Sequence, residues 1–176
     1  MTPRHLCLSS LLLVTGCPAM AADSASIHIN GRVIAGTCTT AGDASVVIPD
    51  IQGGRYPAGR ISASAKAFTM VLSGCAGVTQ ATLSFGSAND AHIQQKDTFR
   101  NQAAKDAVGG VSLWLQYEKC AAERNTIAPG STRIHAVNGA SLSVPLCVTY
   151  WKIDGEQFPL APGNVAAAIK VNITYH

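Results

Sequence analysis

From Val165 to Tyr175 every second residue is apolar: Val165, Ala167, Ile169, Val171, Ile173 and Tyr175. From Ile169 on, the intervening positions are polar, with Lys170, Asn172 and Thr174. A period of two sends successive side chains to opposite faces, so this stretch, opened by Gly163 and closed by His176, predicts a half-buried β-strand. The same rhythm recurs upstream. Ile27, Ile29, Gly31 and Val33 alternate with His28, Asn30 and Arg32. Val111, Leu113, Leu115 and Tyr117 form another row, and Leu142, Val144, Leu146, Val148 and Tyr150 a third, with Cys147 on its opposite face. Strands are also predicted over Val46–Ile51, Ala67–Leu72 and Thr79–Phe85, the first interrupted by Pro49, which marks an edge or a bend.

Turn chemistry separates these rows. Gly86-Ser87-Ala88-Asn89-Asp90, Pro129-Gly130, Asn138-Gly139, Asp154-Gly155 and Pro162-Gly163 are the punctuation. Residues 52–59 read as a Gly/Pro-rich loop, 91–107 as mainly loop, and 121–140 as loop-rich. The result is an all-β chain with about six core strands after Cys38, against seven in a complete immunoglobulin-like sandwich. The row from Ile27 to Val33 has no earlier strand to pair with, and its central Gly31 predicts close backbone approach. A long apolar strand closing the chain must be paired on both sides or left as an aggregation-prone edge.

The first residues carry a different signal. Arg4, the apolar run Leu6–Val14 and the small-x-small site Ala19-Met20-Ala21 predict a secretory leader over 1–21 and a mature chain from Ala22. Leu13-Val14-Thr15-Gly16-Cys17 also resembles a lipoprotein signal, the rival reading, in which Cys17 is lipidated. Charge adds little: the formal +3 drops by one when Arg4 leaves, with no basic stripe for nucleic acid and no acidic tail.

Two of the six cysteines, Cys7 and Cys17, fall in the leader, leaving Cys38, Cys75, Cys120 and Cys147. An even number in an exported chain predicts disulfides, and spacing does not choose among the three connectivities. No C-x-x-C or His-x-x-x-His spacing favours a metal. Catalysis finds no support either, since His28, His92, His135 and His176 are scattered and read as surface residues, with no G-x-S-x-G elbow. Trp114 and Trp151 read as sandwich aromatics rather than a sugar platform.

Taken in order behind the leader, these features resemble the type 1 pilins, the fibre subunits of the chaperone–usher pathway. The resemblance rests on penultimate Tyr175 with Gly163 fourteenth from the end, and on the alternating extension around Gly31 followed by Gly36-Thr37-Cys38. Val47-Ile48-Pro49-Asp50-Ile51 and Phe68-Thr69-Met70-Val71-Leu72-Ser73-Gly74-Cys75 complete it. It implies an incomplete immunoglobulin-like β-sandwich lacking its last strand, with a donor-strand extension over 22–37 and a pilin domain over 38–176. Ile27, Ile29, Gly31 and Val33 would face a neighbouring subunit's groove. Gly163, Val165, Ala167, Ile169, Val171, Ile173 and Tyr175 would line this subunit's acceptor groove, and the carboxylate of His176 would anchor a periplasmic chaperone.

Main-chain hydrogen bonds would give affinity in this strand addition, and alternate side chains specificity. The resemblance also implies a Cys38–Cys75 bridge, a constraint of about 4 kcal/mol on the unfolded chain in the entropy picture. Cys120 and Cys147 depart from the commonest pattern and are candidates for a second bridge. Expected partners are neighbouring pilin subunits, a periplasmic chaperone, an outer-membrane usher and a host surface receptor, without cofactor or nucleic acid, on a cell-surface fimbrium. A minor tip or adaptor pilin, or a carbohydrate-binding adhesin subunit, is the alternative.

Overall fold

The computed structural model describes residues 36–40, 42, 45–120, 125–153 and 159–176. The predicted leader and the extension residues Ile27, Ile29, Gly31 and Val33 lie outside the described residues. The strands are β1 (Thr37–Thr40), β2 (Gly59–Ala76), β3 (Gln80–Phe85), β4 (Phe99–Arg100), β5 (Val111–Tyr117), β6 (Thr126–Ile127), β7 (Thr132–Ala136), β8 (Ser141–Lys152) and β9 (Val171–Tyr175). A short 3-10 turn covers Ala88–Asp90.

The strands form two antiparallel sheets. The larger runs β1-β2-β8-β5-β4, with β6 also pairing β5, and the smaller runs β7-β3-β9. The core is built from alternate residues, as the period-two rows demand. Ala81, Leu83 and Phe85 of β3 are buried with Leu113 and Leu115 of β5 and Val144 and Leu146 of β8. Each large aliphatic side chain moved out of water contributes about 1.5–3 kcal/mol. All seven residues of β5 are buried, so this strand is covered on both faces. Its outward row, Ser112, Trp114 and Gln116, lies beside Trp151, Thr149 and Cys147 of β8. Trp114 meets Trp151 edge-on at 5.0 Å between ring centroids.

Four sequence expectations need correction. First, β2 begins at Gly59, well before the predicted start at Ala67. Its register shifts between Ile61 and Lys66, and the buried Ser64 hydroxyl fills the gap. That hydroxyl donates to the Ile61 carbonyl and accepts from the Tyr150 amide, both at 2.8 Å. Second, the loop-rich stretch 121–140 contains β6 and β7, while 91–107 is mainly loop as expected and holds only the two-residue β4. Third, Val46–Ile51 is not in a ladder at all, although Val46, Ile48 and Ile51 pack against the core. Fourth, His135 is half-buried rather than solvated, and its Nε2 is buried with no hydrogen-bond partner among the described residues.

Both disulfides are present, Cys38–Cys75 and Cys120–Cys147. The first ties β1 to the end of β2. The second bridges the chain just beyond β5 to the outward face of β8. Among the described residues no group of His, Cys, Asp and Glu side chains is arranged to hold a metal ion.

Candidate functional site: the open edge of the last strand

The closing strand keeps its two-residue rhythm over its whole length. Val165, Ala167, Ile169, Val171, Ile173 and Tyr175 are half-buried and pack against the core, while Ala166, Ala168, Lys170, Asn172 and Thr174 are exposed. Only Val171–Tyr175 belongs to a regular ladder, opposite Phe85–Ala81 of β3. His176 and Gln80 exchange two bonds, at 2.8 and 3.0 Å. Narrow pairs alternate with wide ones in an antiparallel ladder, so Thr174–Thr82 and Asn172–Ser84 are the next bonded pairs. The main-chain N–H and C=O groups of Val171, Ile173 and Tyr175 are therefore turned away from β3. Among the described residues no strand pairs with them there.

N-terminal to Val171 the same polarity is kept by other means. The Gly86 amide donates to the Lys170 carbonyl at 2.7 Å, and the Gln102 amide to the Ala166 carbonyl at 2.6 Å. Asn101 Oδ1 accepts from the Ala166 amide at 3.0 Å, and Gln102 Oε1 from the Ala168 amide at 3.2 Å. Asn164 exchanges main-chain bonds with Asp106 and Val108, at 2.7 and 3.1 Å. Even-numbered residues face this support, and odd-numbered ones face the open edge.

Gly163 has a steric reason to be glycine. A Cβ there would overlap the Asp106 carbonyl oxygen and come within 3.0 Å of Val108 Cγ2. The chain enters the strand by pressing its backbone against residue 106, which only a residue without a side chain allows.

The chain on either side of the extended segment 45–53 is tied to the C-terminal part of the chain. Tyr175 OH donates to the Cys38 carbonyl at 3.2 Å. At the far end Gly54 and Leu160 exchange main-chain bonds of 3.1 and 2.8 Å. Between these ties no strand pairing joins the two segments among the described residues. Just inside the Gly54–Leu160 tie lies a cavity of about 310 Å³, lined by Asp50, Ile51, Tyr150, Leu160, Gly163 and Val165 among others. Burial pushes the Tyr150 hydroxyl's pKa above its ordinary value, and the negative charge of Asp50 adds to this.

The structure thus places Val165, Ala167, Ile169, Val171, Ile173 and Tyr175 on one half-buried face, while Gly163 and His176 are exposed. His176, the expected chaperone anchor, is bonded to the start of β3. Its main-chain oxygen accepts from the Thr79 and Gln80 amides and from the Thr79 hydroxyl, and its Nε2 lies 3.2 Å from Thr82 Oγ1. Sequence reasoning missed Asn101 and Gln102, since polar amides in a stretch without periodicity carry no signal of what they bond. It named Ile51 and Asp50 as part of a motif without placing them at the mouth of a cavity.

No family model matches the chain, and no curated protein sequence matches it. Solved structures do. The P pilus rod subunit PapA superposes with a TM-score of 0.57 at 14% identity, covering 79% of this chain and 99% of that one. A subunit of a chaperone–usher pilus, solved in work on rod uncoiling, gives 0.56 at 15% identity over 91% of this chain and 100% of that one. The CupB6 tip adhesin from Pseudomonas aeruginosa gives 0.50 at 19% identity over 62% of this chain. The chain spans only 30% of that adhesin's length. The two-sheet sandwich described above is therefore the immunoglobulin-like fold of chaperone–usher pilus subunits.

Proposed function

We propose that this chain is a structural subunit of a chaperone–usher pilus, polymerising by strand donation and serving adhesion at the cell surface. One observation carries the reading: among the described residues the closing strand is paired on one side only, by β3, and its other edge runs along an apolar row that packs against the core. An incoming strand would find main-chain partners on Val171, Ile173 and Tyr175 and an apolar floor beneath. The fold likeness to pilus rod subunits supports the same reading. The occupant in the fibre is the extension of a neighbouring subunit, with Ile27, Ile29, Gly31 and Val33 as its inward row. Before assembly a periplasmic chaperone covers the edge, and an outer-membrane usher hands the subunit on. The work is mechanical; it is not enzymatic and needs no cofactor.

A synthetic peptide of residues 22–36 tests this directly. It should bind the exported subunit, and the same peptide carrying Gly31→Leu should not, because the side chain would hold the backbones apart. Equal binding by both peptides would defeat the donor assignment. The likeness to a tip adhesin favours a second position in the fibre, that of a minor tip or adaptor subunit. Subunit stoichiometry in purified surface fibres separates the two: a shaft subunit outnumbers every other component.

A further inference from the structure

β3 supports the closing strand only as far as Lys170, yet the alternation of buried and exposed side chains runs on to Val165. A strand without a partner on either side has no reason to hold that register. We infer that Asn101 and Gln102 are positioning residues of the acceptor edge, their side-chain amides standing in along 164–168 for the strand that β3 no longer supplies. What the edge receives rests on the strand-donation reading above; how it is held does not.

Asn101 makes every bond its amide allows. Oδ1 accepts from the Ala166 and Ala103 amides, both at 3.0 Å. Nδ2 donates to the Asn164 carbonyl at 2.9 Å and to the Val108 carbonyl at 3.2 Å. Two acceptor and two donor positions exhaust the group. All four partners are main-chain atoms of fixed polarity, so the amide has one allowed orientation; the flipped one would set N–H against N–H and oxygen against oxygen. The side chain therefore joins residues 103 and 108 to the start of the closing strand, as a ladder rung would. Gln102 supplies the next rung, its amide to the Ala166 carbonyl and its Oε1 to the Ala168 amide. Together they turn the amides of Ala166 and Ala168 inward. Those of Val165, Ala167 and Ile169 are left toward the open edge, in line with Val171, Ile173 and Tyr175.

The chemistry demands these residue types. Aspartate at 101 has the same shape but no donor, and would press an oxygen against two carbonyls. Leucine at 102 removes an acceptor, whereas glutamate keeps one.

Amide hydrogen exchange on the purified exported protein reads the rungs one at a time. Gln102→Leu should speed exchange at Ala168 about 3- to 10-fold while leaving Thr174, held by β3, within about 2-fold. Gln102→Glu should keep Ala168 protected. Asn101→Asp should speed exchange at Ala166 about 10-fold or more. In parallel, the 22–36 peptide should bind Asn101→Asp and Gln102→Leu more weakly by similar factors, and Gln102→Glu like wild type. Unchanged exchange at Ala166 and Ala168 in the first two variants overturns the inference. So does equal acceleration at Thr174, which marks general loosening. If the wild-type protein takes no peptide, strand donation fails, and the exchange pattern alone then upholds or overturns the positioning role.

Discussion

The smaller sheet has two edges, and they are built in opposite ways. On β7, exposed Arg133 and half-buried His135 stand opposite Leu83 and Ala81, so they lie on the same sheet face as those buried side chains. The Arg133 guanidinium lies 4.4 Å above the Tyr117 ring, and the His135 ring is 5.5 Å from it. On β9 the inward residues are Val171, Ile173 and Tyr175. A strand approaching β7 would have to desolvate a charged guanidinium; one approaching β9 would meet an apolar row and main-chain groups that no described strand pairs. Inward-pointing charge is a recognised guard on sheet edges. One edge of this sheet carries a charge on its inward row, and the other carries an apolar row.

The sharpest way to break this contrast is to guard the open edge. Ile173→Asp places an unpaired carboxylate on the inward row and should weaken binding of the 22–36 peptide by about 100-fold or more. Isothermal titration decides it, and near-wild-type affinity would mean that the peptide sits elsewhere. The far side of the molecule gives the control. Removing the Cys120–Cys147 bridge, whose cysteines are 27 residues apart, should cost about 3.5 kcal/mol of stability in the loop-entropy picture. Denaturant unfolding measures this loss, and peptide affinity in the folded protein should stay within about 2-fold.

Gly163→Val tests where the open edge starts. Overlap with Asp106 and Val108 should cost about 1–3 kcal/mol, lowering the thermal midpoint by several degrees. A variant that melts with wild type would show that the backbone there has room. The converse experiment opens the guarded edge. Arg133→Val with His135→Val gives β7 an apolar inward row, and should raise self-association measured by light scattering above that of wild type.

The smallest effect is one of pH. Burial, and then the charge of Arg133, lower the His135 pKa below its ordinary value. The unfolded chain therefore takes up this proton before the folded one does. Stability contributed by neutral His135 is complete above about pH 6.5 and declines as pH falls from there toward the folded pKa. His135→Gln should flatten the pH dependence of the unfolding midpoint between about pH 7 and 5. An unchanged slope would assign it to other groups.

Much of the open edge was legible in the chain itself. The row from Val165 to Tyr175 is local: side-chain direction in a strand follows from neighbouring residues alone, and the structure keeps all six on one face. The same holds for the inward rows of β5 and β8. The failures occur where the side chains give no contrast. Ile61-Ser62-Ala63-Ser64-Ala65 has too few large apolar or charged residues to show a period, so the first part of β2 carries no strand signal. Val46–Ile51 has a strand-like composition but no partner, because composition speaks of burial and not of hydrogen bonding.

By itself, then, the sequence determined the all-β composition, the apolar face of the closing strand and a cysteine set suited to disulfides. The tertiary structure decided which cysteines meet, that Arg133 and His135 share the sheet face of Leu83 and Ala81, and that Asn101 and Gln102 reach the main chain of Ala166 and Ala168. The division has one physical cause. Which face a side chain takes is set within a few residues, whereas which edge keeps its hydrogen bonds free depends on segments distant in the chain arriving, or not arriving, beside it.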